Sequence, residues 1–203
     1  MYRSGLKRCV DVVGGTLALL VVAPILLVIA LIVRSRLGSP VLFVQRRPGL
    51  HGRSFNIVKF RTMRNDCGPE GRPLPDEARL TRFGTLLRST SLDELPELWN
   101  VIRGEMSLVG PRPLLTEYLD RYSPAQARRH DVRPGITGLA QVRGRNALTW
   151  HEKFALDVEY VERCSLSLDI KILFLTMWQV AARHGVSQPG RATMDEFVGS
   201  ALP

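Results

Sequence analysis

Between Val12 and Val33 the chain runs VVGGTLALLVVAPILLVIALIV without one charged side chain. As a single helix these 22 residues would measure roughly 33 Å, about the depth of a bilayer's hydrocarbon core. The run predicts a membrane segment. It is too long for the apolar part of a cleaved signal peptide, and no small-residue cleavage site precedes the basic stretch that follows. Arg3, Lys7 and Arg8 stand before it and Arg34, Arg36, Arg46 and Arg47 after it, so the positive-inside rule pulls both flanks to the cytoplasm. Pro24, behind Ala23, lies near the middle, where it deletes a backbone hydrogen bond and bends a helix. Each half, at roughly 15–18 Å, is too short to cross alone. Two readings stay open: a re-entrant helix that enters one leaflet and returns, or a kinked transmembrane anchor, which proline also tolerates.

Beyond this segment the pattern shortens. Val41–Gln45 and Phe55–Phe60 are β-rich runs around a loop containing Pro48-Gly49 and His51-Gly52, which predicts a β-hairpin close to the membrane surface. Asn65–Asp76, NDCGPEGRPLPD, reads as loop. Helical patterns cover Arg79–Arg88, the stretch after Ser91, Leu114–Tyr122 and Pro124–Asp131, with VGPRP (Val109–Pro113) and RPGITG (Arg133–Gly138) as rigid loops between them. Two more helices are predicted over Leu148–Arg163 and Ser167–His184, the second capped by Ser167 or Asp169 and closed by Gly185. Its ILFLTMW stretch suits a core-facing helix. It also suits an interfacial one, with Lys171, Trp178 and Arg183 at the polar boundary.

Length and charge narrow the partners. The 203 residues suffice for one ordinary domain with an appendage. A net charge of +9, with arginine as 24 of 28 basic residues, points to a polyanion: nucleic acid, an anionic membrane or a phosphorylated substrate. No helix-turn-helix, zinc or RNA-recognition motif and few aromatic residues support a nucleic-acid partner. Three cysteines and four histidines show no disulfide or metal-ligand spacing, and no repeat or glycine-rich nucleotide loop is present.

The stretch STSLDELPELWN, Ser89–Asn100, sets Asp93 beside Glu94. Ser91-Leu92-Asp93-Glu94 matches a capping box, and acids in a first helical turn complement the macrodipole. Against that, Pro96 at the fifth position of such a helix would delete a backbone bond. Neighbours on a helix point about 100° apart, so a functional pair would hold separate tasks rather than face each other. Asp93, ionised at neutral pH, could attack phosphorus without a general base. Glu94 could hold Mg²⁺, and Arg88, Arg112 and Lys59 could bind phosphates.

FVQRRPGLHGRSFNIVKFRTM, LTRFGTLLRSTSLDELPELWNVIRGEMSLVGPRPLL, RPGITGLAQVRGRN and DVEYV, in that order, resemble the successive motifs of the bacterial sugar transferases, the monotopic phosphoglycosyl transferases. The match runs from about residue 3 to 180 with no additional N-terminal domain, so the resemblance is to the minimal catalytic form. It implies an α+β, mainly helical fold: a re-entrant membrane helix within residues 1–36, a cytosolic catalytic domain over 37–185 with a short hairpin and surface or interfacial helices, and a tail over 186–203. It implies that Asp93 and Glu94 are a catalytic dyad. Asp93 would take the sugar-bearing phosphate of a UDP-sugar as a covalent adduct, releasing UMP, and pass it to undecaprenyl phosphate at the cytoplasmic face of the inner membrane. Mg²⁺ falls to Glu94, and Lys59, Arg88, Arg112, Arg145 and Asp157 lie in matching motifs as substrate-binding candidates. The family's helix break at a Ser-Pro pair is Ala23-Pro24 here. Membrane lipid is an expected partner, and room is left for a homodimer.

Overall fold

The computed structural model describes residues 2–144, 147–182 and 196–199. A π-helical turn over Tyr2–Leu6 leads into α1, Lys7–Leu37, which is apolar and long enough to cross a membrane. Pro24 does not end it. The expected break at Ala23-Pro24 is absent as an interruption of secondary structure, because proline removes one donor while the flanking turns keep theirs.

What α1 buries is a narrow stripe. Lys7, Asp11 and Gly15 are covered near its start, and Ile29 and Val33 near its end, in steps of four that keep one side facing the body. Val13, Leu17, Leu20, Val21, Leu27 and Leu31 remain exposed, an apolar surface that only lipid or another apolar partner would cover. Both ends of the stripe are anchored. At the start, Lys7 Nζ pairs with Asp169 at 2.5 Å, Asp11 accepts from Ser107 Oγ and Leu108 N, and Arg8 donates to the carbonyls of Val101 and Ile102. Toward the other end, Ile29 and Val33 pack with Phe60 and Leu87, and Arg61 donates to the carbonyls of Leu37 and Ser39.

The expected hairpin is present: β1 (Leu42–Pro48) pairs antiparallel with β2 (Ser54–Phe60), Leu42 opposite Phe60 and Pro48 opposite Ser54. The helix expected over Arg79–Arg88 is two, α2 (Asp76–Arg79) and α3 (Arg82–Ser89), separated by extended Leu80. The stretch after Ser91 is a 3₁₀ turn, Leu92–Glu94, and then α4, Glu97–Arg103. One of the loops expected to be merely rigid, Arg133–Gly138, contains a strand, and its parallel partner ends on Val109, the first residue of the other. β3 (Ser107–Val109) runs beside β4 (Gly135–Thr137), with Gly110 and Gly135 so close that a Cβ on Gly135 would sit 2.1 Å from the Gly110 nitrogen. Two strands of three residues carry too little alternation for pattern reading to detect.

Leu114–Tyr122 holds a 3₁₀ helix over Thr116–Arg121, and Pro124–Asp131 is α5 (Pro124–Ala127) followed by a 3₁₀ turn. After α6 (Leu139–Arg143) comes α7 (Trp150–Arg163), whose N-terminus is a full capping box of Thr149 with Glu152. The last helix among the described residues, α8, covers Leu166–Ala182. Asp169 does not cap it: its carboxylate is consumed by Lys7, Tyr2 and Tyr160. The core-facing reading of α8 holds for one face, and the other is left exposed. Ile172 is buried with Leu168 and Leu175 alongside, while Ile170, Phe174, Met177 and Trp178 are exposed. Gly185 and most of the expected tail lie outside the described residues. Within 196–199, Phe197 is no appendage, since it is buried among Tyr118, Tyr122, Trp150 and Phe154.

Removing one partner of a buried ion pair strands the other charge, at roughly 3–5 kcal/mol. Lys7→Met is therefore expected to lower stability by roughly 3 kcal/mol or more, read as a drop in the thermal midpoint of the detergent-solubilised protein. Lys171→Met, on the exposed side of α8, serves as the unaffected control.

Candidate active site

Five segments converge on the Asp93-Glu94 pair. α3 starts with Thr81 Oγ1 accepting from Gly84 N, and it lies so close to the exit of β2 that a Cβ on Gly84 would sit 1.9 Å from the Thr62 carbonyl oxygen. Only glycine permits that approach. It places Arg88, whose Nε donates to Thr62 Oγ1 at 3.0 Å. The chain then turns at Ser91, in the left-handed region at φ 56° with no side-chain cap, so the capping box is not formed. Pro96 immediately precedes α4, where amide groups have no intrahelical acceptor. The helix strain expected from it does not arise, because the helix starts after it.

Asn100 ties α4 to the backbone of β2. Asn100 Oδ1 accepts from Val58 N at 3.1 Å, and its Nδ2 donates to the Asn56 carbonyl at 2.8 Å and to Glu105 at 2.7 Å. Lys59, next along β2, thereby reaches two acids at once, with Nζ 2.9 Å from Glu94 Oε1 and 2.9 Å from Glu97 Oε1. Arg112, in the loop after β3, forks onto the same Glu94: Nη1 donates to Oε2 at 3.1 Å and Nη2 to Oε1. The Arg112 carbonyl in turn accepts from Arg129 Nη2 at 2.7 Å, and Arg129 is clamped to Asp157 through Nε at 3.0 Å and Nη2 at 2.8 Å.

This arrangement separates the two neighbours electrically. Burial, with Asp93 only 8% exposed, and then the adjacent charge of Glu94 push the Asp93 carboxyl up to about 6, against the pull of Lys59, Arg112 and Arg88. Burial would raise Glu94 too, but the charges and hydrogen bonds of Arg112 and Lys59 overcome it and hold Glu94 well below the usual carboxylate range. Glu97, 1% exposed, is pushed up to about 7 by burial despite Lys59. One carboxylate is thus permanently ionised and spoken for, and the other is a buried anion with no direct partner among the described hydrogen bonds.

Of the residues singled out from sequence, Lys59 and Arg112 join Glu94 directly, and Arg88 acts on Asp93 through its charge. Asp157 stands one step back: its carboxylate is buried on Arg129, so it holds Arg112's backbone in place through that arginine. Arg145 lies outside the described residues, and Ala23 and Pro24 sit in α1, away from this network. Sequence reading missed Glu97, Arg129 and Arg47. Glu97 was recoverable, being one helical turn beyond Glu94 in DELPE. Arg47 lies near enough to Arg112 that burial and that neighbouring charge both depress its ionisation; nothing in the pattern distinguishes it or Arg129 from other arginines.

Among the described residues no group of three or more His, Cys, Asp or Glu side chains could cage a metal ion. Mg²⁺ bound mainly through substrate phosphates needs only one or two carboxylates. Glu94 is an oxygen donor of that kind, although Arg112 or Lys59 would have to release one of its oxygens to a metal.

Residues 2–183 match the family described as Bacterial sugar transferase, and the chain belongs to that family. It is 51% identical over 195 residues, covering 96% of both chains, to the uncharacterized sugar transferase EpsL of Bacillus subtilis. It is 44% identical over 181 residues, 84% of this chain and 68% of the relative, to a UDP-glucose:undecaprenyl-phosphate glucose-1-phosphate transferase of Caulobacter vibrioides. An undecaprenyl-phosphate glucose phosphotransferase of Komagataeibacter xylinus is 42% identical over 189 residues, which are 84% of this chain and 35% of that longer protein.

A carboxyl raised from about 3.8 to about 6 keeps its proton in the folded state where the unfolded chain has lost it, so stability falls as pH rises across that window. Asp93→Asn is expected to melt above the native protein at pH 7 and higher, by on the order of 2 kcal/mol, with the gain fading below about pH 4. Glu94→Gln has the opposite sign at neutral pH, since a depressed carboxylate contributes stability above its unfolded pKa. Thermal melts across pH check both.

Proposed function

We propose that this protein transfers a sugar 1-phosphate from a UDP-sugar to undecaprenyl phosphate at the cytoplasmic face of the bacterial inner membrane, releasing UMP through a covalent adduct on Asp93, as a first membrane step of surface glycoconjugate synthesis. The observation that carries the reading is the contrast within the dyad: Glu94 is locked by Arg112 and Lys59, while Asp93 beside it is buried, unpaired and flanked by cations. The names of the Caulobacter and Komagataeibacter relatives support the class of acceptor and of transferred group.

In the first half-reaction an Asp93 oxygen bonds to the sugar-bearing phosphorus. The bond from that phosphorus to the bridging oxygen breaks, and UMP departs with the electron pair. In the second, a phosphate oxygen of the lipid attacks the same phosphorus and the bond to Asp93 breaks, restoring the carboxylate. No general base is needed for the first attack once Asp93 is ionised. Arg112 supplies a planar fork suited to phosphate oxygens, and Lys59 a point charge. Mg²⁺, held by Glu94 together with the donor's diphosphate, would reduce repulsion between an anionic nucleophile and an anionic substrate.

Packing supports the membrane seat. Leu92, the residue before Asp93, packs in the cluster of Ile29 and Val33 of α1, which sets the nucleophile beside the membrane helix. Both basic ends of α1 are fastened to the same body, which favours the re-entrant reading, since a full crossing would leave one end on the far side of the bilayer. The outer face of α8, with Trp178 and Lys171 exposed, suits the interface.

Incubation with a panel of UDP-sugars and Mg²⁺, without acceptor, is expected to add one phosphosugar to the intact mass and to release UMP. Asp93→Asn is expected to show neither. Release of UDP, or full turnover in that variant, refutes the mechanism. Adduct formation should fall about tenfold per pH unit below about 6 as Asp93 protonates. Cysteines placed before Arg3 and after Arg36 should both be labelled from the cytoplasmic side alone.

A further inference from the structure

Away from the dyad, the end of α6, the second half of α7 and the first half of α8 enclose a groove with about 50 Å³ of internal space. Its floor is apolar, from Leu139, Leu168 and Leu175, and its rim carries Arg143, Arg163 and Lys171. The one acid there, Glu159, is taken by Arg163 at 2.6 Å. Arg143 and Lys171 have no ion pair among the described residues, and neither they nor Arg163 contacts the dyad network. Lys171 lies on the flank of α8, two turns from exposed Trp178 and adjoining the exposed row of Ile170, Phe174 and Met177.

We propose that this groove binds the headgroup of an anionic phospholipid, its phosphodiester held by Arg143, Arg163 and Lys171 and its acyl chains laid along the outer face of α8. The inference rests on the interfacial seat given to α8 above. Charge complementarity selects the head: three cations against one already neutralised acid have room for an anion, and arginine's fork matches phosphate oxygens. The apolar floor and the continuous apolar row select an amphiphile over a free polyanion, which would leave Phe174 and Met177 facing water. Juxtamembrane cations of this kind are each expected to favour anionic over zwitterionic lipid near the surface. The site is distinct from the acceptor's reaction site, since a lipid phosphate held here is not at Asp93.

The test uses the full chain in phosphatidylcholine nanodiscs without donor or acceptor, with Trp99 and Trp150 replaced by Phe so that Trp178 alone reports. Brominated acyl chains quench tryptophan on contact, and they are introduced either on phosphatidylglycerol or on phosphatidylcholine at equal fraction. The expected result is about tenfold enrichment of the anionic quencher at Trp178, the combined effect of two unpaired cations and one paired one. Arg143→Gln with Lys171→Gln abolishes the preference, while Arg34→Gln with Arg36→Gln leaves it intact. Equal quenching by the two lipids overturns the headgroup site and leaves the membrane seat standing. A preference that falls equally in the Arg34/Arg36 variant reports diffuse charge attraction and also overturns the site. Quenching by neither lipid removes α8 from the membrane and the proposal with it. Because no sugar donor is present, none of these outcomes depends on the transfer chemistry.

Discussion

Two cations share one carboxylate, and the site depends on that. Glu94 takes the fork of Arg112 and the ammonium of Lys59, which keeps it ionised in a place where burial alone would protonate it. Asp93, next in line and denied either partner, keeps its charge only against desolvation. The asymmetry leaves one carboxylate held through both oxygens and the other without a direct partner among the described hydrogen bonds. It requires that β2, α4 and the loop after β3 be fixed to within hydrogen-bonding distance of one another, which Asn100 does on one side and the Arg129–Asp157 clamp on the other. Both clamps use side chains buried away from the chemistry, so the residues that touch Glu94 can change partners without the frame moving.

Much of this was legible from the residues, and what was not has physical causes. The apolar run of α1, the hairpin and the long helices α7 and α8 announced themselves through sustained periodicity, which survives tertiary context. The β3–β4 pair did not, because three-residue strands are defined by their partners rather than by their own pattern. Ser91 misled for a related reason. A capping-box string specifies a cap only if the chain enters a helix there, and the left-handed turn at Ser91 moves that entry past Pro96. Asp93 and Glu94 stood out by adjacency and by resemblance, and separate tasks were expected of them; that Lys59 and Arg112 both fall to Glu94 and neither to Asp93 is decided by the fold. Asp157 was placed in the site by its motif, and the structure sets it behind the site, supporting an arginine that no local signal marks.

α1 shows how the same chain serves two solvents. Its buried stripe is part polar at the start, where Lys7, Asp11 and Arg8 bind into the body, and apolar toward the end, where Ile29 and Val33 join the core beneath α3. The remaining circumference is hydrocarbon. One helix therefore gives one side to the protein core and keeps an apolar surface around the rest, and Leu92, the residue preceding Asp93, packs against its buried side.

Phe197 gives the fold an order in time. Its ring fills the space between Tyr118, Tyr122, Trp150 and Phe154, and in chain order it follows all four of them, as it follows α1. α1 is therefore made before any of these five rings, and the aromatic cluster stays open until Phe197 has been added. On a growing chain the apolar helix is exposed before the body that grips both its ends can close.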